Sequence, residues 1–174
     1  TSSAVNSAYA TGFPTDKWRL ISIPGNVSDN QVGNVIGDEL GSQTSSTWRI
    51  FEWDDVSLSY KENPINFVNG ESFWLYQKVE DNLLISAPAG ATGDMSGTSL
   101  TIKPGWNLIG SPYSFPVEMV LDQSQYFGPI AYGLSGESWS DVTTELRPWS
   151  GYALYNRTTS DQTVVVDPIQ STTG

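Results

Sequence analysis

Histidine and cysteine are both absent from the 174 residues. With them go Ser-His-Asp and Cys-His nucleophile arrangements, thiolate zinc sites, imidazole metal ligands and disulfides. Two kinds of side chain remain that could do chemistry. The 19 Asp and Glu could supply an acid-base pair or hard oxygen ligands, and the seven Trp and eight Tyr could stack on the apolar C–H faces of sugar rings. A glycosidase needs two carboxyls about 5–9.5 Å apart across a cleft. Nothing in the spacing of the acids selects such a pair, so the chain is expected not to be an enzyme. Asp54-Asp55, with Glu52 nearby, and Glu80-Asp81-Asn82 are weak candidates for Ca²⁺ ligands. Neither has the D-x-D-x-D-G spacing of a calcium loop, and turn formation explains both, so no cofactor is expected.

The aromatic residues therefore carry the functional question, and the order of the sequence divides them. Trp18 and Trp106 sit in matching segments, as do Phe73 and Tyr152, and Tyr76 and Tyr155. A pair kept in both places reads as a packing position, and truncating such a Trp is expected to cost about 3–5 kcal/mol of stability rather than binding. Aromatics without a like partner say more: Trp53 aligns with Gly133, Tyr113 with Gly25, Phe115 with Val27, Trp149 with Gly70 and Trp74 with Ala153. Trp53 ends a strand beside Asp54-Asp55, Trp149 lies on an Arg-Pro-Trp-Ser-Gly loop, and Tyr113 follows the Pro that closes a strand. Such loop and strand-end positions are where a rigid scaffold presents recognition groups. Tyr60 and Trp139 fall together at the end of a hairpin strand, and Arg147, beside Trp149, could hydrogen-bond sugar hydroxyls or meet a uronate. Trp53, Trp149, Tyr113, Tyr60, Trp139 and Arg147 are thus the expected ligand-binding residues. Trp48 alternates in register with Ile50 and is expected to point inward.

The elements that must position these groups come in two copies. Lys17-Trp18-Arg19-Leu20-Ile21-Ser22-Ile23-Pro24 and Gly105-Trp106-Asn107-Leu108-Ile109-Gly110-Ser111-Pro112 share W-x-L-I-x-x-P, 88 positions apart. Glu71-Ser72-Phe73-Trp74-Leu75-Tyr76 matches Ser150-Gly151-Tyr152-Ala153-Leu154-Tyr155 at 79, and Leu84-Ile85-Ser86-Ala87-Pro88 matches Val164-Val165-Val166-Asp167-Pro168 at 80. Ordered matches with one consistent deletion define an internal duplication, residues about 5–91 and 92–170, within a single domain spanning 1–174. Each copy is expected to hold about five strands and one short helix. The strands are the W-x-L-I motif, a hairpin from Trp48 to Tyr60 or from Pro129 to Trp139 turning at Ser135-Gly136, the F/Y-x-L-Y strand, and the Leu84 or Val164 strand. Thr98 to Trp106 adds a hairpin to the second copy, with Ala8 to Pro14 equivalent in the first. One helix is expected after Ser28, with Val32, Val35, Ile36 and Leu40 at helical spacing before Gly41; its counterpart is expected after Ser114, through Val117, Val120 and Leu121. The fold class is all-β, a sandwich-like double layer with a pseudo-two-fold between the copies.

Charge narrows the partners. Eight Lys and Arg against 19 acids give a formal net charge of −11 and an isoelectric point near 4.1, which repels phosphate backbones and anionic lipid heads. Neither nucleic acid nor membrane is an expected partner. The chain starts at Thr1 without a charged-then-apolar leader and has no apolar run of membrane-spanning length, so it is expected to be a soluble piece of something longer.

Gly105-Trp106-Asn107-Leu108-Ile109-Gly110-Ser111-Pro112-Tyr113, followed by Leu146-Arg147-Pro148-Trp149-Ser150-Gly151-Tyr152, resembles the "GWNLIGNPY … PGQGF" modules of large secreted and cell-surface proteins of Bacteroidetes and related bacteria. The likeness covers the second copy well and the first more loosely, where Lys17 and Ser72 replace glycines. It implies an extracellular β module beside other domains of a larger chain and brings no catalytic residues. The expected function is non-catalytic binding of a neutral polysaccharide. The alternative is a structural spacer or adhesion module of a bacterial surface protein, with its Trp residues internal.

Overall fold

Strand parity, the alternation of side chains between two faces, organises this chain. The computed structural model describes residues 13–27, 29–81, 83, 90–91, 97–132 and 137–169. Its elements run β1 (Arg19–Ile21), β2 (Asn26–Val27), α1 (Val32–Leu40), β3 (Trp48–Asp54), β4 (Ser59–Glu62), β5 (Phe73–Gln77), β6 (Gly90–Ala91), β7 (Thr98–Ile102), β8 (Gly105–Gly110), β9 (Val117–Glu118), β10 (Tyr126–Tyr132), β11 (Trp139–Val142), β12 (Glu145–Leu146), β13 (Gly151–Asn156) and β14 (Gln162–Val166). Among the described residues strand makes up 46% and α1 is the one helix, so the fold is all-β with several antiparallel sheets.

Two four-stranded sheets dominate, in the orders β1-β5-β3-β4 and β8-β13-β10-β11. The offsets between the sequence motifs carry one sheet onto the other. Leu20, Trp74, Phe51 and Glu62 lie side by side across the first, and Leu108, Ala153, Ile130 and Val142 across the second. One irregularity separates them: the pairing of β10 with β13 slips between Phe127 and Ile130. Gly128 takes φ 116 there, and a Cβ on it would lie 2.8 Å from the Ala153 carbonyl oxygen, so this bulge requires glycine and leaves room for Pro129 in a central strand. Outside the sheets, the Phe13-Leu83 bridge falls where β7 and β14 pair Thr101 with Thr163.

The inner faces are covered differently. Helix α1 has nine residues, too few to persist alone in water, and is held by burying Val32, Val35, Ile36 and Leu40 against Ile21, Ile50, Phe67, Phe73 and Leu75. Gly41 closes it at φ 72, its N–H donating to the Gly37 carbonyl. At the other end Gln31 provides no side-chain cap; Asp29 accepts the Gln31 N–H and the Asn34 amide instead. Trp48 is inward, its indole N–H donating to the Gly41 carbonyl.

The second sheet has no helix beneath it. The helix expected after Ser114 is replaced by β9, paired with β12. Burial there alternates, Val117 and Met119 in, Glu118 and Val120 out, which is period two rather than 3.6, and Pro116 with two β-branched valines favours extended backbone. With β7 and β14, this pair covers the second core of Leu100, Ile102, Ile109, Val117, Leu146, Tyr152, Leu154, Val164 and Val166.

The sheets meet through reciprocal contacts. The Ser22 N–H donates to the Trp149 carbonyl and the Gly110 N–H to the Gly70 carbonyl; Ile21 bridges to Ser150, and Glu71 to Ile109. Of the remaining expectations, the Leu84 to Pro88 strand, the Ser135-Gly136 turn, Ser28, Asn82, and Ala8 to Gly12 lie outside the described residues.

Candidate functional site

With Ile50, Phe73, Leu75, Asn107, Ile109, Tyr152 and Leu154 turned into the cores, parity sends the intervening side chains to the outer faces of the two sheets, and these are aromatic. At the hairpin ends, Trp53 pairs with Tyr60 across β3 and β4, and Tyr132 with Trp139 across β10 and β11. Both pairs meet edge to face, at centroid distances of 5.1 and 5.2 Å and interplanar angles of 66° and 67°, the favoured geometry for aromatic quadrupoles. They occupy equivalent places with Trp and Tyr exchanged. Trp74 joins them: its indole N–H donates to the Tyr60 hydroxyl at 3.2 Å, and its ring lies 5.0 Å from Tyr132 and 6.0 Å from Trp139.

Two grooves flank this junction. One, about 430 Å³, runs over the first sheet between Trp18, Phe51, Tyr60, Trp74, Tyr132 and Trp139. The other, about 550 Å³, runs over the second sheet on a floor of Leu108, Ala153 and Ile130, walled by Trp53, Tyr60, Trp74, Trp106, Phe127 and Trp139. Because Tyr60, Trp74 and Trp139 border both, the grooves form one strip. At its ends Trp18 packs on Tyr76 and Phe51 at 5.1 and 5.6 Å, and Trp106 on Tyr155 and Phe127 at 5.1 and 6.2 Å. Arginines cap these ends, Arg49 over Phe51 and Arg157 over Phe127.

Trp53 also borders a polar cleft of about 310 Å³ with Asp55, Asn69, Glu71, Ser72 and Lys103. Partial desolvation of its carboxyl in the cleft, although the residue is exposed as a whole, and then the nearby Glu52 and Asp55 carboxylates push Glu71 above its ordinary range.

Three of the six expected binding residues are therefore brought together: Trp53, Tyr60 and Trp139. The other three are not. Trp149 is 0% exposed and fills the first core, because the Arg147–Ser150 turn, with Trp149 at φ 68, folds the indole inward. Tyr113 is also 0% exposed, its hydroxyl donating to the Val166 carbonyl at 2.8 Å and its ring stacked on Phe115. Arg147 is exposed but lines neither groove, with its guanidinium on Glu145.

Conversely, the repeated Trp18 and Trp106, with Tyr76 and Tyr155, are not core residues. Trp106 is 45% exposed and the other three are half-buried on the outer face; of the repeated pairs, Phe73 and Tyr152 do face inward. Tyr132 was not anticipated because the sequence alignment sets Gly133 opposite Trp53, one position past the partner that the strand register assigns. Asp54 is held in its hairpin, where Lys61, the Val56 N–H and the Ser57 hydroxyl keep its carboxyl well below the usual range; Asp55 lines the polar cleft. Among the described residues no three His, Cys, Asp or Glu side chains gather as a metal site. Comparisons with protein-family models, with curated proteins and with solved structures yield no match for this chain.

Proposed function

We propose that the outer aromatic strip binds a neutral polysaccharide without transforming it. The observation that carries this reading is the continuity of the two grooves through Tyr60, Trp74 and Trp139: a contiguous exposed aromatic surface marks an interaction site, and one that crosses from one sheet to the other suits an extended polymer. Pyranose C–H faces stack on indole and phenol rings, while hydroxyls reach the Tyr60 hydroxyl, the Trp139 and Trp106 indole N–H groups and water. The net charge of −11 disfavours uronate and sulfate polymers. The setting, an extracellular module beside other domains of a bacterial surface protein, rests on the resemblance of the Gly105–Tyr113 motif.

Affinity electrophoresis through a panel of neutral and acidic polysaccharides tests the reading. At least one neutral glycan is expected to retard the chain, and Trp106→Ala or Trp53→Ala to weaken that binding by ~1–3 kcal/mol, the scale of single-ring stacking in nucleic-acid sites. Failure of every neutral glycan to retard it would reject the proposal in favour of the spacer. Against the spacer stands the exposure of Trp106 and Trp139, 45% and 43%, so iodide should quench a distinct subset of the Trp fluorescence.

A further inference from the structure

The outer faces of the two sheets are built to one plan but filled unequally. In the first, the central position between Leu20 and Phe51 holds Trp74. In the second, the same position between Leu108 and Ile130 holds Ala153. Trp74 is gripped from the other half of the chain: Tyr132 and Trp139 meet its ring at 5.0 and 6.0 Å, with interplanar angles of 74° and 86°. The residues that occupy the places of Tyr132 and Trp139 in the first half are Trp53 and Tyr60, and both stand as walls over Ala153. The second sheet thus has the grip without the ring, and the larger of the two grooves, about 550 Å³, lies there.

The rim says what the missing ring must carry. Trp74 presents an N–H, which the Tyr60 hydroxyl accepts. In the place of Tyr60 the second sheet has Trp139, a residue 43% exposed whose indole nitrogen is a donor only. Tyr60 itself, having accepted from Trp74, keeps its own proton to give. An occupant over Ala153 thus meets donors at the rim, which acceptor oxygens at its edge would pair, and aromatic walls that suit an apolar face. A pyranose, with C–H faces and ether and hydroxyl oxygens, offers both; another indole, whose ring nitrogen is a donor only, could give its N–H to Tyr60 but would leave the Trp139 N–H to water.

We propose that the position above Ala153 is a subsite for one pyranose unit of the glycan, seated where Trp74 sits in the other sheet and held edge to face by Trp53 and Tyr60. This rests on the polysaccharide reading above and adds to it a place and a ring.

The test is Ala153→Trp, which supplies the missing ring from the chain itself. Cello-, manno-, xylo- and chitohexaose are titrated calorimetrically into the unsubstituted chain and the variant, with melting temperature and far-ultraviolet circular dichroism as controls. The expected result is that at least one hexasaccharide binds the unsubstituted chain and that the folded variant binds it at least ~10-fold more weakly, as loss of a stacked ring implies. Ala153→Leu, smaller and still obstructive, carries the same expectation if the Trp variant does not fold. On the unsubstituted chain, titration should shift the methyl resonances of Ala153 and Leu108 more than those of Val164 and Val166. A folded variant that binds as the unsubstituted chain does would overturn the subsite and leave the polysaccharide reading standing. Hexasaccharide binding by none of the four would remove the subsite, and the electrophoresis panel would then decide the polysaccharide reading. Capture of free indole instead, lost in Ala153→Trp, would show a slot for an aromatic side chain and overturn the pyranose.

Discussion

Tyr152 lies inside the second core with its hydroxyl accepting the Arg147 N–H at 2.8 Å. Burial, partly offset by that hydrogen bond, pushes its pKa up to about 12. The phenol stays protonated in the folded chain where the unfolded chain would ionise, so its contribution to stability is complete below about pH 10 and is lost as pH rises toward 12, some 2–3 kcal/mol across the window. Denaturant unfolding at intervals from pH 9 to 12 should show this fall, and Tyr152→Phe should flatten it; equal slopes in the two proteins would remove Tyr152 as the cause. Trp149 provides the second contrast at this scale. Buried in the first core, it should cost about 3–5 kcal/mol on truncation to Ala and leave glycan affinity untouched, whereas Trp106→Ala should lower affinity with little change in melting temperature. Sequence reasoning assigns these two Trp the other way round, for physical reasons. A residue kept in both copies can be retained for a face as well as for a core, and a Pro-Trp-Ser-Gly turn reveals that the chain reverses without revealing which way the indole folds. Asn107 misleads further: a polar side chain turned inward conceals the parity of its strand, yet its amide is satisfied by the Lys103 N–H and the Lys103 and Gly105 carbonyls in the turn between β7 and β8.

Between elements, the decisive contacts lie where the two sheets abut and positions face their own equivalents. Ser22 faces Gly110, and Ser72 faces Gly151: a Cβ on Gly110 would lie 2.2 Å from the Ser22 Cβ, and one on Gly151 2.9 Å from the Ser72 Cβ and 2.4 Å from the Leu20 Cγ. Where a residue meets its counterpart at such range, only one of the two can carry a side chain. The serine is placed in the first copy, and the Ser22 hydroxyl donates to the Ser150 carbonyl at 2.7 Å. Gly110→Ser should therefore cost at least ~1–3 kcal/mol by overpacking. Adding Ser22→Gly should return most of it, because a serine hydroxyl at position 110 would reach the Glu71 carbonyl, 3.2 Å from the site of its Cβ and equivalent to that of Ser150. Thermal unfolding of the two singles and the double measures the coupling; simple additivity would show that the facing geometry is not what matters. The W-x-L-I and F/Y-x-L-Y strands, the paired hairpins and α1 are all legible from hydrophobic periodicity. The second helix was not, since Val117, Val120 and Leu121 fit a helical spacing that only the observed burial of Met119 resolves into alternation.

For the whole molecule, the repeated motifs announce two copies, but sequence offsets do not say which edges join, and the joining decides stability. The first core contains Trp149, supplied by the second copy. In the second, the place equivalent to Trp149 is Gly70, against which Leu100 packs so closely that a Cβ there would come within 2.5 Å of its Cδ2. Each half thus completes the other with a different device, and the hydrogen bonds from Ser22 to Trp149 and from Gly110 to Gly70 close the seam on both sides. Separated, residues 1–91 would lose one of the two Trp side chains of their core, and residues 92–174 would expose the β8 and β13 ends that now pair with the first half. Halves of this size bury too small a share of their surface to absorb such losses, and unpaired strand ends favour association. The intact chain is accordingly expected to unfold in one cooperative transition. Residues 92–174 alone should lack native amide protection, and mixing the two fragments should restore the circular dichroism and the hexasaccharide binding of the parent. A monomeric 92–174 fragment with dispersed amide resonances and protection in β8, β10 and β13 would show instead that the copies are independent, and the groove over Ala153 would then have to be explained without Trp53 and Tyr60.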